Sequence, residues 1–107
     1  MRRGEIWTVA GGTGYAGRPR PAVIVQDDRF DTDSLTISPF STDTTEARLF
    51  RLAVQPTASN GLQATSRLMV DKLTTVPRLK VGRQVSVLDD VDLARPNRAI
   101  VVFLGMA

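Results

Sequence analysis

Short strand patterns separated by polar or glycine-rich loops recur along this chain, and they constrain its fold more than any other feature. Residues 4–10 alternate between two faces, with Ile6 on one and Trp7 on the other, which is the period of a β-strand. Residues 21–25 are apolar throughout and predict a strand buried on both faces. Further strand patterns cover residues 35–38, 49–54, 66–73 and 81–85.

The C-terminal stretch carries signals for both a helix and a strand. Asp89 or Asp90 can cap a helix start, and Gly105 is a natural stop. Pro96 should kink such a helix, and the β-branched run 99–103 would also suit a strand. Length and capping favour the helix, whose apolar positions would be Leu93, Ala94, Ile100, Phe103 and Leu104.

These patterns predict one domain over residues 1–107, built mainly of short β-strands with a closing C-terminal helix. Short strands joined by polar loops are typical of a small, strongly bent sheet or a partly open barrel.

The composition excludes several kinds of chemistry. The chain has no cysteine, so disulfides and cysteine nucleophiles are impossible, and it has no histidine, which removes the commonest general base and zinc ligand. We expect no cofactor and no metal. No apolar run approaches the roughly 20 residues of a membrane span, and the basic N-terminus leads into a strand pattern, so we expect a cytoplasmic protein.

The basic residues are almost all arginine. The net charge is +3, and 12 of the 14 basic residues are Arg. Guanidinium groups make paired hydrogen bonds to phosphates and base edges, which favours a nucleic-acid partner. An arginine-rich proteome would give the same bias, so composition leaves both interpretations open.

Two arginines precede the buried strand pattern at 21–25. Each of these arginines is followed by a proline, and a proline favours extended backbone in the residue before it, here Arg18 and Arg20. A guanidinium fixed at the mouth of a strand could stabilise a phosphate while negative charge develops on it. Taken alone, the segment is more often a pair of solvated arginines.

Hydroxyl and charged groups follow two other strand patterns. Ser41 and Thr42 come at the end of a strand pattern and could donate to a phosphate oxygen, although such residues also form ordinary turns. Arg67 and Asp71 share one face if residues 66–73 form a strand, and Lys72 follows them. Arg67 could stabilise a phosphate while Asp71 acts as a base, or the two could make only a weak surface ion pair.

Two other segments do not match known ligand-binding motifs. Residues 11–14, Gly-Gly-Thr-Gly, lack the Gly-Lys-Ser/Thr ending of a phosphate loop. Four aspartates within residues 27–33 could bind a hard cation, but they do not match a calcium loop, and a solvated turn is favoured.

In order and spacing, several segments together resemble the MazF/PemK toxin family over nearly the whole chain. These segments are Arg3-Gly4-Glu5-Ile6-Trp7, Gly17-Arg18-Pro19-Arg20-Pro21, Pro39-Phe40-Ser41-Thr42, Met69-Val70-Asp71-Lys72 and the stretch from Asn97 to Gly105. The resemblance implies an SH3-like, CcdB-like barrel with short helices. It implies a toxin of a type II toxin–antitoxin system that inhibits translation by cleaving single-stranded RNA at selected sequences without a metal. In that chemistry the RNA's own 2′-hydroxyl attacks the adjacent phosphate.

The resemblance also implies the site residues. Arg20 matches the family's catalytic arginine, and Ser41 lies where the family usually has a threonine, so Thr42 could share its role. Asp71 matches a position that serves relatives as base or in base recognition. Relatives often have an Arg two residues before it, where this chain has Met69, and Arg67 is a candidate substitute. The expected RNA-binding residues are Tyr15, Arg18, Gln26, Asp43, Arg67 and Lys72.

The expected partners are mRNA, with tRNA or rRNA as alternatives, a second copy of the chain in a homodimer, and an antitoxin with a flexible acidic tail. Two other functions remain open. A CcdB-like toxin would bind gyrase without cleaving RNA, and an SH3-like RNA-binding module would leave RNA whole.

Overall fold

The computed structural model describes residues 1–10, 19–43, 47, 49–54, 62 and 65–107. In these residues seven strands form one sheet, with two short 3-10 turns and one α-helix. The strands are β1 (Glu5–Val9), β2 (Arg20–Ile24), β3 (Ser34–Ser41), β4 (Arg51–Val54), β5 (Ser66–Met69), β6 (Thr74–Pro77) and β7 (Val81–Val87). The 3-10 turns lie at Val70–Lys72 and Arg78–Lys80, and helix α1 spans Asp90–Phe103.

One long strand, β3, organises the sheet. The pairings are antiparallel in the order β4-β5-β3-β2-β1-β7, and β6 also pairs with β3. The first half of β3 pairs with β6 and its end pairs with β5, while β2 lies along its other side. Among the described residues no pairing joins β4 to β7, so the sheet is unclosed. The prediction of a mainly β fold with an open sheet and a C-terminal helix is confirmed.

The sheet is buried on both faces, by two separate groups of apolar side chains. Strand β2 shows the alternation, because Val23 belongs to one group while Ala22 and Ile24 belong to the other. The prediction of a strand buried on both faces is therefore confirmed. The larger core joins the sheet to α1 and contains Ile6, Val23, Phe40, Leu52, Leu62, Leu68, Val70, Leu88, Leu93 and Ala99. The smaller core contains Val9, Ala22, Ile24, Leu35, Ile37 and Val81.

Helix α1 is fixed at both ends by caps that the sequence predicts. The Asp89 carboxylate accepts a hydrogen bond from the backbone N–H of Asp92 at 2.8 Å. At the other end Gly105 has a φ of 75°, and the N–H groups of Gly105 and Met106 close a Schellman motif. Pro96 is buried within the helix, which continues across it to Phe103.

Residues 66–73 are not one strand, contrary to the sequence pattern, because β5 ends at Met69. Val70 is buried in the larger core, and its N–H donates to the carbonyl of Phe50 at 2.9 Å. This contact turns the chain into a 3-10 conformation. Asp71 therefore lies in a turn, and not on the strand face predicted for it.

The chain re-enters the sheet as β6, a strand that no pattern in the sequence predicts. Three of its four residues are exposed, so it has no apolar alternation. It forms because the first half of β3 offers a free edge, where Ile37 pairs with Thr74 and Ser34 with Pro77.

Gly4 occupies a position that a side chain would strain. Its φ is 90°, and a Cβ there would lie 2.9 Å from Leu93 Cδ1 and 3.1 Å from the carbonyl oxygen of Leu88. The backbone cannot move away easily, because its N–H donates to Ile24 and its carbonyl accepts from Leu88, both at 2.8 Å.

Substitution Gly4→Ala is expected to lower the free energy of unfolding by about 1–3 kcal/mol, from backbone strain plus the contact with Leu93. Gly105→Ala is the matched control, because its φ is 75° and no described residue lies within 4 Å of its Cβ position. Chemical denaturation of both variants measures the difference. Equal losses would show that the contact at Gly4 contributes nothing.

Candidate active site

A row of two guanidiniums and a hydroxyl crosses three neighbouring strands at one end of the sheet. Ser41, the last residue of β3, lies directly opposite Arg67 of β5. On its other side β3 pairs with β2 through Ala22 and Pro39. Arg20 lies two residues before Ala22 and Ser41 two residues after Pro39, so Arg20 and Ser41 are on the same face at the same end of the sheet. Ser41 and Arg67 are directly opposed, with Cα atoms about 4.5–5.5 Å apart, and also share that face. Arg20, Ser41 and Arg67 are named here the site row.

The site row projects away from the larger core. The residues beside it in sequence, Phe40 and Leu68, are also directly opposed, and both are buried in that core. Because side chains alternate along a strand, Ser41 and Arg67 point to the other face. The packed side chains behind them hold the row in place.

The backbone of Arg20 is held by β1, where it pairs with Val9. On the other side of β2, strand β3 pairs with the residues that follow, from Ala22 to Ile24. The Arg20 side chain is half-buried, and its Nε atom is buried. Its guanidinium therefore starts from a fixed backbone and a confined stem, which suits a group that must meet developing charge without reorganising.

The hydroxyl of Ser41 is oriented by the loop that follows it. Ser41 Oγ accepts a hydrogen bond from the backbone N–H of Asp43 at 3.0 Å, which leaves its proton to be donated elsewhere. Thr42 is exposed beside it. Arg67 Nη1 donates to the carbonyl of Asp43 at 3.4 Å, so β5 also holds this loop.

Asp71 makes a paired ion contact with Arg51 of β4. Arg51 Nε lies 2.6 Å from Asp71 Oδ1, and Nη2 lies 2.9 Å from Oδ2. The side chains are only 13% and 16% exposed. The hydrogen bonds from Arg51 hold the pKa of the Asp71 carboxyl below its ordinary value, although burial raises it. The lowered pKa makes the Asp71 carboxylate a weaker base, which favours hydrogen-bond acceptance over general-base catalysis.

Sequence reasoning missed Arg51. The family pattern often places an Arg two residues before the Asp, where this chain has Met69. Arg51 lies directly opposite Met69 on the adjacent strand, so it reaches Asp71 from across the sheet. The paired contact is made by Arg51, and not by Arg67, the predicted substitute. No spacing along the sequence reveals it, because it depends on the register of β4 against β5.

The other predicted RNA-binding residues are not gathered in the site row. Gln26 lies beyond the opposite end of β2 from Arg20, where its amide donates to Phe30 and Thr32 and accepts from Thr36. This amide holds the 27–33 loop. Lys72 is exposed in the turn next to Asp71. Tyr15 and Arg18 lie outside the described residues.

The described residues contain neither a cluster of metal-binding side chains nor a membrane-spanning helix. No group of three or more Asp, Glu, His or Cys side chains in that part of the chain is arranged to hold a metal ion. No helix there is long and apolar enough to cross a membrane.

A family model described as PemK-like, MazF-like toxin of type II toxin–antitoxin system matches residues 2–104. The chain is 50% identical over 108 residues to a probable endoribonuclease MazF from Mycolicibacterium smegmatis, covering 100% of this chain and 99% of the relative. It is 26% identical over 117 residues to endoribonuclease MazF9 from Mycobacterium tuberculosis, covering 99% of this chain and 98% of the relative.

Solved structures have the same fold. A mycobacterial endoribonuclease in complex with its cognate antitoxin matches with a TM-score of 0.80 at 19% identity, over 100% of this chain and 97% of that one. The Mycobacterium tuberculosis toxin MazF-mt6 matches with a TM-score of 0.79 at 23% identity, over 96% of this chain and 98% of that one.

Proposed function

Because this chain belongs to the PemK-like, MazF-like family of type II toxin–antitoxin toxins and is an endoribonuclease, we propose that it cleaves single-stranded RNA at selected sequences without a metal. The 2′-hydroxyl of one nucleotide attacks the adjacent phosphorus, and the bond from phosphorus to the 5′-oxygen breaks. The 2′-hydroxyl loses its proton and the leaving 5′-oxygen gains one. The products are a 2′,3′-cyclic phosphate and a 5′-hydroxyl.

The site row is the observation that carries this proposal. In-line attack places extra negative charge on the non-bridging phosphate oxygens, and catalysis then depends on donors fixed where that charge develops. Arg20 and Arg67 flank Ser41, so a phosphate over the row meets a guanidinium on each side of a hydroxyl. The guanidiniums supply positive charge that a metal ion supplies in other nucleases.

The geometry supports a division of roles. Arg20, whose backbone is held by β1, stabilises the charge on the phosphate. Ser41 donates its proton to a phosphate oxygen, because its oxygen is already occupied by the N–H of Asp43. Thr42 offers a second hydroxyl from the exposed loop. The nucleophile belongs to the RNA, so the absence of histidine and cysteine from the chain is no obstacle.

The toxin's partners are part of the proposal. A mycobacterial relative is solved in complex with its cognate antitoxin, and we extend this arrangement to the present chain. Its net charge of +3 suits an acidic antitoxin tail.

Large apolar side chains exposed at the end of α1, such as Phe103 and Met106, suit a homodimer. Cleavage of mRNA, which would stop translation, places its action in the cytoplasm.

End mapping of cleaved RNA tests the chemistry. Purified protein incubated in EDTA with a long single-stranded RNA should give discrete cuts. The downstream fragments should accept a label from polynucleotide kinase without prior dephosphorylation, because they carry 5′-hydroxyls. A single 2′-deoxynucleotide on the 5′ side of a mapped cut should abolish that cut and no other.

The control for contaminating ribonuclease is the Arg20→Ala variant purified in the same way. Downstream fragments with 5′-phosphates, or cuts that survive the 2′-deoxy substitution, would contradict attack by the 2′-hydroxyl. RNA that stays intact under all conditions would leave a binding toxin as the better account.

A further inference from the structure

The Arg51–Asp71 pair lies beside the site row, on the same face of the sheet. Ala53 of β4 lies directly opposite Arg67, and Arg51 is two residues from Ala53, so all three share that face. Diagonal neighbours on adjacent strands are about 7–8 Å apart, which places Arg51 one step from Arg67. The charge of Asp43, in the loop after Ser41, adds to the hydrogen bonds with Asp71 that raise the pKa of Arg51.

The pair also fixes the turn that carries Asp71. The Val70 N–H donates to the Phe50 carbonyl at 2.9 Å, so the backbone of the turn is tied to the start of β4 where Arg51 lies. The guanidinium then binds both carboxylate oxygens in a paired geometry that admits one orientation. A mostly buried ion pair cannot lose one partner without leaving the other charge uncompensated, so Asp71 depends on Arg51 for its position.

The arrangement limits what Asp71 can do. Each carboxylate oxygen accepts one hydrogen bond from Arg51 and keeps a lone pair that can accept another, and an ionised carboxylate never donates. The guanidinium also cancels most of a charge that would otherwise repel RNA phosphates. Asp71 is thereby an ionised, fixed acceptor whose charge Arg51 compensates, and it lies beside the site row where the scissile phosphate would bind.

An acceptor of this kind discriminates among bases. Exocyclic amino groups of cytosine, adenine and guanine offer N–H donors. Uracil has only an N–H placed between two carbonyl oxygens, and a carboxylate repels both. Building on the proposed RNA cleavage, we propose that Arg51 is a positioning residue that presents Asp71 as an acceptor for an amino-bearing base next to the cleaved phosphate.

The test is cleavage of an RNA pool randomised at the positions flanking a mapped cut, followed by sequencing of the cut ends. The wild-type protein should disfavour uracil at one flanking position. Arg51→Gln should lower kcat/KM on the preferred RNA about tenfold, mainly through KM, and flatten the preference there. Asp71→Asn should shift it toward uracil, because an amide can donate to a uracil carbonyl. Unchanged preference in both variants would overturn the assignment.

A charge swap separates positioning from plain structural support. In the double variant Arg51→Asp with Asp71→Arg, the ion pair can re-form but a donor replaces the acceptor. Thermal stability should recover relative to either single change, while the preference should favour bases with carbonyl acceptors. Recovery of the wild-type preference would mean that the pair only supports the fold.

Arg29→Gln is the matched control. Arg29 makes a paired contact with Asp27 at 3.2 and 3.1 Å in an exposed loop beyond the opposite end of β2 from Arg20. Its loss should leave the base preference unchanged, and a change would show that the assay responds to any lost ion pair. If wild-type protein makes no cuts with 5′-hydroxyl ends, the proposed function fails. If those cuts appear but no variant alters the preference, only the role of Arg51 fails.

Discussion

Replacing Arg20 with alanine is expected to lower kcat/KM for RNA cleavage by about 10²–10³-fold, the usual loss when one preorganised donor is removed from a developing oxyanion. The reason is the fixed position of its guanidinium. Val9 of β1 pairs with Arg20, and the register of β2 with β3 puts Arg20 on the same face and at the same end of the sheet as Ser41. Water entering the vacated space would bring dipoles that must reorient during the reaction.

Arg20→Lys tests the shape of the group as well as its charge. A lysine keeps the positive charge but loses the planar fork, so an intermediate loss is expected. Arg83→Ala is the matched control, because Arg83 is an exposed arginine on β7, at the edge of the sheet reached through β1. Single-turnover cleavage should be unchanged in that variant. If Arg20→Ala keeps activity within threefold of wild type and melts normally, Arg20 has no catalytic role.

Local patterns predicted much of the fold. Alternation and apolar runs identified β1 and β2, because the pattern of apolar residues along a strand indicates whether one or both of its faces are buried. The Asp89 cap and the Gly105 stop identified α1 despite Pro96, since capping groups act within one turn of the helix ends.

Features that depend on distant parts of the chain were not predictable in this way. The β5 strand ends at Met69 because Val70 binds the carbonyl of Phe50, some twenty residues earlier. Strand β6 forms because half of β3 has a free edge there. Neither the contact of Val70 with Phe50 nor the pairing of β6 with β3 can be predicted from the periodicity within one segment.

The same distinction holds within the site. Arg20 and Ser41 stand out in the sequence because each lies at the end of a strong strand pattern, and family resemblance gave them roles. Arg20 and Ser41 come to lie on one face at one end of the sheet because of the register of β2 against β3. Arg51 could not be found, since its relation to Asp71 exists only once β4 pairs with β5. Sequence thus suggested the chemical groups, and cross-strand register determined which of them meet.

Removing the hydroxyl of Ser41, the last residue of β3, together with that of Thr42, which follows it, is expected to lower the single-turnover rate by about 10²-fold, because two donors to the phosphate oxygens are lost. The variant is Ser41→Ala with Thr42→Ala. Ser41→Thr should keep most activity, since threonine retains the hydroxyl that accepts from Asp43 and donates to phosphate. A single Thr42→Ala change should have a small effect if Ser41 is the main donor.

The control for this double variant removes two hydroxyls elsewhere in the sheet. The hydroxyls of Thr36 on β3 and Thr75 on β6 form a hydrogen bond of 3.2 Å. Thr36 lies in the half of β3 that is farther from Ser41. Their double alanine variant should cleave within twofold of wild type at a similar melting temperature. Loss of the Ser41 hydroxyl also leaves the N–H of Asp43 without that acceptor, so melting curves must accompany the rates. Full activity in Ser41→Ala with Thr42→Ala would remove both hydroxyls from the mechanism and leave the guanidiniums as the only protein groups acting on the phosphate.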